Sequence, residues 1–276
     1  PPWATQAAAG VYALAWAWLV GVFVRLIRAS PVADKVHATL VAIALGIGCT
    51  GVAAFALAGP AAHAWLRTAG VYGFLLPVFV IVCHRMIPFF TANVVPFVTA
   101  FRPWWLLAVM LAGPVGHAIV DSTAGAAWTW VVDAPASAVM LVVTVRWGFV
   151  QSLVNRLLAM LHVGFVWYAI GFALAAISSA AILAGGSGLG LAPLHALTIG
   201  FASSLAMAMV TRVTCGHTGR TLQADTVTWG LFLLLQATVV ARVAAELFGS
   251  PAAYALAAIF YAASVVPWAV KYAPLY

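Results

Sequence analysis

Charged side chains are so sparse along this chain that stretches of about 20 residues pass with almost none, and that spacing constrains the fold more than any other feature. A run of that length, wound as helix at about 1.5 Å per residue, crosses a hydrocarbon layer of roughly 30 Å. Of 276 residues, 66% are hydrophobic and 6% charged, so a water-facing surface of ordinary extent cannot be assembled. Alternating strand patterns are not visible, which argues against a membrane barrel. The sequence therefore predicts an all-α, polytopic transmembrane helical bundle, forming a single domain over 1–276.

Nine spans are expected, at about 8–28, 36–59, 68–88, 104–120, 127–146, 159–184, 193–215, 226–247 and 251–270. Within 84–103, Pro88 and Pro96 interrupt an apolar stretch, and each removes a backbone donor. A kinked, interfacial or re-entrant segment is expected there. GGSGLG at 185–190 reads as a flexible turn and lacks the Lys-Ser/Thr continuation of a phosphate loop. Trp104, Trp105, Trp128, Trp130 and Trp268 fall near span ends, as interfacial anchors do.

The formal net charge of +7 would point to nucleic acid in a soluble domain, but here the basic residues report topology. On one set of alternate connections lie Arg25, Arg28, Lys35, Arg85, Arg102, Arg146, Arg156, Arg212, Arg220 and Lys271; on the other lie Arg67 and Arg242. The positive-inside rule then places the first residue outside and Tyr276 on the cytoplasmic side. Nucleic acid is excluded as a partner, the bilayer is the principal one, and protein partners are unspecified. No signal peptide is legible at the start, PPWATQAAAG.

Cys49, Cys83 and Cys215 form no CxxC pair, and without CxxCH any haem must be held non-covalently, as b-type. The seven histidines carry the chemistry. By depth they form an inner layer of His37, His84, His162 and His217 and an outer layer of His63, His117 and His195. Imidazole suits haem iron, copper and zinc, and an ionisable group on a membrane helix is a functional candidate by default. His37 and His63 are read as hydrogen-bonded interfacial groups; His162 and His195, set in apolar helix, are read as ligands. His195 is the expected outer haem ligand, with His117 or His63 as partner, and His162, His84 and His217 are the inner candidates.

Cys83, His84 and Met86 before Pro88, and Cys215 with His217, supply the thiolate, thioether and imidazole set of a Cu(I) site, although at no established copper spacing. Arg212 and Arg220 satisfy positive-inside, and either could hold a haem propionate in a bidentate fork. Gly200, Ser203, Ser204, Met207, Thr211 and Thr214 share an arc at 3.6 residues per turn and predict a close helix contact, with His195 about 120° away from it. Asp121, Asp133, Asp225 and Glu246 all fall near span ends, whereas ion-coupled transporters usually keep an ionisable group at midplane.

HALTIGFASSLAMAMVTRVTCGHTGR, 195–220, resembles the NnrS family of bacterial membrane proteins, with its His-Ala-Leu-Thr stretch, Arg-Val turn and Gly-His-Thr-Gly-Arg. RMIPFFT at 85–91 and LHVGFVWYAIG at 161–171 are similar to two further elements of that family. The resemblance implies a cytoplasmic-membrane protein that binds haem and copper and serves the response to nitric oxide, in denitrification and in nitrosative-stress protection. It singles out His162, His195 and His217, then His84. Family members usually carry about twelve spans and an N-terminal His-x-His-Glu-Met element, which is not found here, so N-terminal spans are expected to be missing. The resemblance names no reaction, and a small-solute transporter or channel, or a haem or copper delivery factor, stays open beside the haem reading.

Overall fold

The computed structural model describes residues 2–96 and 98–275. In chain order the helices are α1 (Pro2–Ala29), α2 (Val36–Ala58), α3 (His63–Thr68), α4 (Leu76–Val94), α5 (Trp104–Thr123) and α6 (Trp130–Arg146). There follow α7 (Phe149–Ser152), α8 (Arg156–Leu183), α9 (Ala192–His195), α10 (Ser204–His217), α11 (Thr226–Phe248) and α12 (Pro251–Tyr272). Two π-helical segments, Ala69–Leu75 and Ala196–Ser203, join α3 to α4 and α9 to α10. No strand occurs among the described residues. The expected all-helical membrane bundle is the observed class.

The expected count of nine spans is corrected to seven helical segments long and apolar enough to cross a bilayer. The second and third expected spans fall in one unbroken helical run, Val36–Val94, because a short 3₁₀ turn carries the hydrogen bonding across Gly59–Ala62. That run is nevertheless a hairpin. Gly59, at φ 59°, lets the chain reverse, and Ile47 then meets Gly73, Gly48 meets Phe74 and Gly51 meets Ala69 in antiparallel register. The fifth expected span is α6, whose 17 residues fall at the short limit for a crossing. The expected interruption at Pro88 is also absent: α4 continues through it to Val94, with Ile87 and Thr91 buried on either side. One lost backbone bond is tolerated in a membrane helix whose neighbours hold it; the chain breaks only beyond Val94, towards Pro96. Pro1 and Tyr276, on which the expected orientation of the ends was placed, lie outside the described residues.

The contacts fall into two compact units, Pro1–Arg85 with Pro103–Ile119, and Met86–Arg102 with Val120–Tyr276. In the first unit α1 packs on α2: the Cys49 thiol donates to the Ala13 carbonyl, and Trp16 reaches the ring of Phe74, 4.9 Å between centroids.

The second unit is built around α8, which starts at an Asn155 cap accepting from the Leu158 N–H. Glycines let its neighbours approach. A Cβ on Gly164 would stand 3.2 Å from Ser204, and one on Gly171 would strike Leu197 at 2.5 Å. Between these, a Cβ on Gly200 would strike Trp167 at 2.6 Å. These pairs set α8 antiparallel to the α9–α10 arm. The small-residue stripe expected from 200 to 214 is thus a close helix contact, with Gly200, Ser204, Met207, Thr211 and Thr214 all buried. With no hydrophobic drive between helices in lipid, packing and hydrogen bonds hold such contacts. Gln236 supplies two, accepting from Trp167 Nε1 at 2.8 Å and donating to Ser204 Oγ at 2.9 Å. Trp147, Phe165, Tyr168, Phe172 and Phe201 form a buried aromatic cluster beside α8.

Candidate cofactor and ligand sites

In the first unit the structure brings together two histidines, expected in the same layer, on different helices. His37 Nε2 and His84 Nδ1 lie 3.1 Å apart, and His84 Nε2 lies 3.1 Å from the Pro103 carbonyl oxygen. Because a carbonyl only accepts, His84 Nε2 carries a proton, and in neutral rings His37 Nε2 then donates to His84 Nδ1. Both rings are buried and stack near Trp104. Both nitrogens of His84 are therefore occupied by protein partners. His117 stacks on Tyr72 at 4.3 Å, and His63 stacks on Phe55 at 5.0 Å at the exposed hairpin turn.

In the second unit His162, on α8, is fully buried, and its Nε2 lies 2.9 Å from Thr91 Oγ1. The single Thr91 proton goes to the Ile87 carbonyl at 2.8 Å, so Thr91 accepts from His162 Nε2–H. That leaves His162 Nδ1 as the lone-pair nitrogen, buried and without a hydrogen-bond partner among the described residues. Arg212, on α10, is buried too. Its guanidinium lies 3.7 Å above the ring of Phe90, and its Nε is likewise buried and unpartnered. Phe90 and Thr91 escaped the sequence reading as site residues, though both lie in RMIPFFT. The three sequence elements singled out above thus converge here, one supplying Phe90 and Thr91, one His162 and one Arg212.

His195 closes α9 at the other end of the same helical arm. Its Nδ1 lies 2.8 Å from the Leu191 carbonyl oxygen, which fixes the proton on Nδ1 and leaves the lone pair on Nε2. Glu246 Oε1 stands 4.0 Å from the same Nδ1 and pairs with Arg242 at 2.7 Å. Glu246 also accepts from the Leu191 N–H, so the α9 start, the imidazole and α11 form one network. Proximity in space, not in sequence, creates it. The 120° separation expected between His195 and the small-residue stripe rests on 3.6 residues per turn. A π-helix, bonded to the fifth residue, rotates less per residue and begins directly after His195, so that angle does not carry across Ala196–Ser203.

His217, the last residue of α10, and Arg220 just beyond it are exposed, whereas Cys215 is buried. Two residues apart on a helix, Cys215 and His217 face different sides, so the expected Cys215–His217 half-site is not assembled. Cys215 and Arg220 instead line an open cleft of about 430 Å³ with Thr221, Gln223, Asp225, Lys271 and Tyr272. Asp225 caps α11 there, accepting from the Thr228 N–H at 2.8 Å and pairing with Lys271. Partial burial opposes its ionisation, but the Lys271 ammonium and the Thr228 donors prevail and hold its pKa at about 2. No group of three or more His, Cys, Asp or Glu side chains able to hold a metal ion occurs among the described residues.

Fold and sites together define a polytopic helical membrane protein whose buried imidazoles are each fixed in one tautomer by a neighbouring acceptor. The chain belongs to the NnrS family: the family model described as NnrS protein matches residues 2–276, nearly its whole length. No curated protein and no solved structure matches it significantly.

Proposed function

We propose that this protein binds b-type haem non-covalently through Nε2 of His195 and serves the bacterial response to nitric oxide, in denitrification or nitrosative-stress protection. The observation that carries this reading is the 2.8 Å hydrogen bond from His195 Nδ1–H to the Leu191 carbonyl. A ligating imidazole characteristically donates its other N–H in this way, which fixes the ring and raises the basicity of the coordinating nitrogen. Glu246 beside the same N–H strengthens both effects. Nε2 is the ring nitrogen farther from the backbone, so a planar macrocycle can approach it. The lone pair of His162 is instead on Nδ1, close to its own helix, and both nitrogens of His84 are engaged. The donor set at His195 therefore fits haem best.

Bound haem would supply an iron centre with affinity for nitric oxide. His195 holds and orients it, and Leu191 and Glu246 keep the imidazole proton on Nδ1. Copper, implied by the family resemblance, has no comparable donor set behind it, and the proposal is confined to haem. The basic-residue bias supports a cytoplasmic-membrane location with the 217–225 end inside. The test is a pyridine haemochrome assay on the purified full chain, with absorption spectra before and after nitric oxide. Haem at about one per chain, a Soret band shifted by nitric oxide, and loss of that haem in His195→Ala are expected. A colourless preparation from haem-replete cells, or an unchanged spectrum in His195→Ala, rejects the assignment.

A further inference from the structure

We infer a second ligand site in the same unit, bounded by Phe90 and Thr91 of α4, His162 of α8 and Arg212 of α10, for a small oxyanion that enters with one proton. A guanidinium on a membrane helix is expensive to bury without a counter-charge. Among the described residues no carboxylate pairs with Arg212; its one close partner is the Phe90 ring, whose cation–π attraction offsets part of the cost. Its Nε–H is an unsatisfied donor in the same region as an unsatisfied acceptor, Nδ1 of His162. Each side chain is at least nine-tenths buried, His162 at 0% and Arg212 at 8% exposure.

The two side chains also converge. The register set by Gly164 against Ser204 and Gly171 against Leu197 puts His162 opposite residue 206, about six residues or roughly 9 Å of helix rise from Arg212. Side chains on a helix lean towards its N-terminus. In this antiparallel pair His162 leans towards the level of Arg212 and Arg212 towards that of His162. Their contacts with adjacent residues, Thr91 and Phe90, bring both side chains to the same turn of α4.

A lone pair beside an N–H is complementary to an oxyacid, which offers one O–H and one bare oxygen. An anion such as formate arrives with a proton from solvent. The proton rests on His162 Nδ1 and is donated to one carboxylate oxygen, while Arg212 Nε–H donates to the other; no covalent bond in the ligand changes. The site carries one positive charge before and after, so binding leaves no added charge in the membrane. Other charged and titratable groups lie on the elements packed against α8. Arg146 of α6 sits over Phe101, and Asp133 of α6 lies at the opposite end, as do His195, Arg242 and Glu246. Besides Arg212, α10 carries buried Cys215 and exposed His217 beyond it.

The test is calorimetric titration of the full chain in lipid nanodiscs with sodium formate, in two buffers of different ionisation heat at one pH. Saturable binding with about one proton taken up per formate is expected. Arg212→Gln should weaken binding at least about 10-fold, the loss of a charged hydrogen bond. His162→Asn, which cannot take the proton, should lose the buffer dependence. Absence of saturable binding to the wild type overturns the site, as do equal affinity in Arg212→Gln and unchanged proton uptake in His162→Asn. Should Arg212→Gln not fold, Arg212→Lys, which keeps the charge without the Nε donor, replaces it with the same expected weakening. A Soret shift on adding formate that persists in both variants assigns the binding to haem iron and also overturns the site. The heat signal does not require haem, so this inference and the haem assignment at His195 fail separately.

Discussion

Thr91 accepts the Nε2 proton of His162 at 2.9 Å while giving its own to the Ile87 carbonyl, and this pair fixes which nitrogen of a fully buried imidazole is left with the lone pair. Thr91→Val keeps the shape but removes the acceptor. The buried N–H then stands unsatisfied, and stability should fall by about 1–3 kcal/mol. Thr91→Ser should retain most of it. Denaturant or thermal unfolding of the full chain, together with ¹⁵N NMR of the histidine tautomers, reads both expectations.

The haem binding proposed at His195 should be recoverable from outside. His195→Gly removes the ligand and leaves a space of imidazole size beside Leu191, so free imidazole at millimolar concentration should restore the Soret band lost in the variant. Glu246→Gln removes the charge near Nδ1. It should weaken haem retention less than His195→Gly, by about 10- to 100-fold, the usual loss when a group that orients a ligating imidazole is altered, measured as haem transfer to an excess of apomyoglobin.

Close helix approach at Gly200 is the packing element most sensitive to a methyl group. A Cβ there meets Trp167 Cγ at 2.6 Å and Cβ at 2.8 Å. Those atoms sit at the root of the indole, so its rotation gives little relief, and displacing the ring breaks its bond to Gln236. Gly200→Ala should cost about 1–3 kcal/mol. Gly70 and Gly230 face open space, and alanine there should change stability by well under that amount in the same unfolding assay.

Asp225 sets an acid limb of stability. Its folded pKa, about 2, lies below the ordinary 3.8, so its contribution is complete above about pH 4 and is lost as pH falls towards 2. The carboxylate is more than half exposed, and solvent screening keeps the effect small, below about 1 kcal/mol. Asp225→Asn should therefore be less stable than the wild type at pH 7, and the difference should vanish near pH 2. Paired melting curves across that range measure it.

Much of the bundle was legible because lipid imposes a one-dimensional code. Apolar length and basic flanks mark helix positions without reference to the rest of the fold. Pro88 was misread because proline's local cost is visible in sequence, while the neighbours that absorb it are not. The two arms expected within 36–94 share one helical run for a similar reason: Gly59 permits a reversal, yet helical bonding persists around it as a tight turn.

For the sites, sequence alone determined the inventory: seven histidines, basic residues gathered on one set of alternate connections, and three short elements that carry the family. Only the tertiary structure decided which ring nitrogens of His37, His84, His162 and His195 are spoken for. Leu191 is four residues from His195 and could have been guessed; Thr91 is 71 residues from His162, and His37 is 47 from His84. A tautomer depends on the acceptor that reaches the ring. That acceptor is chosen by helix register and packing, which no local pattern of residue types encodes.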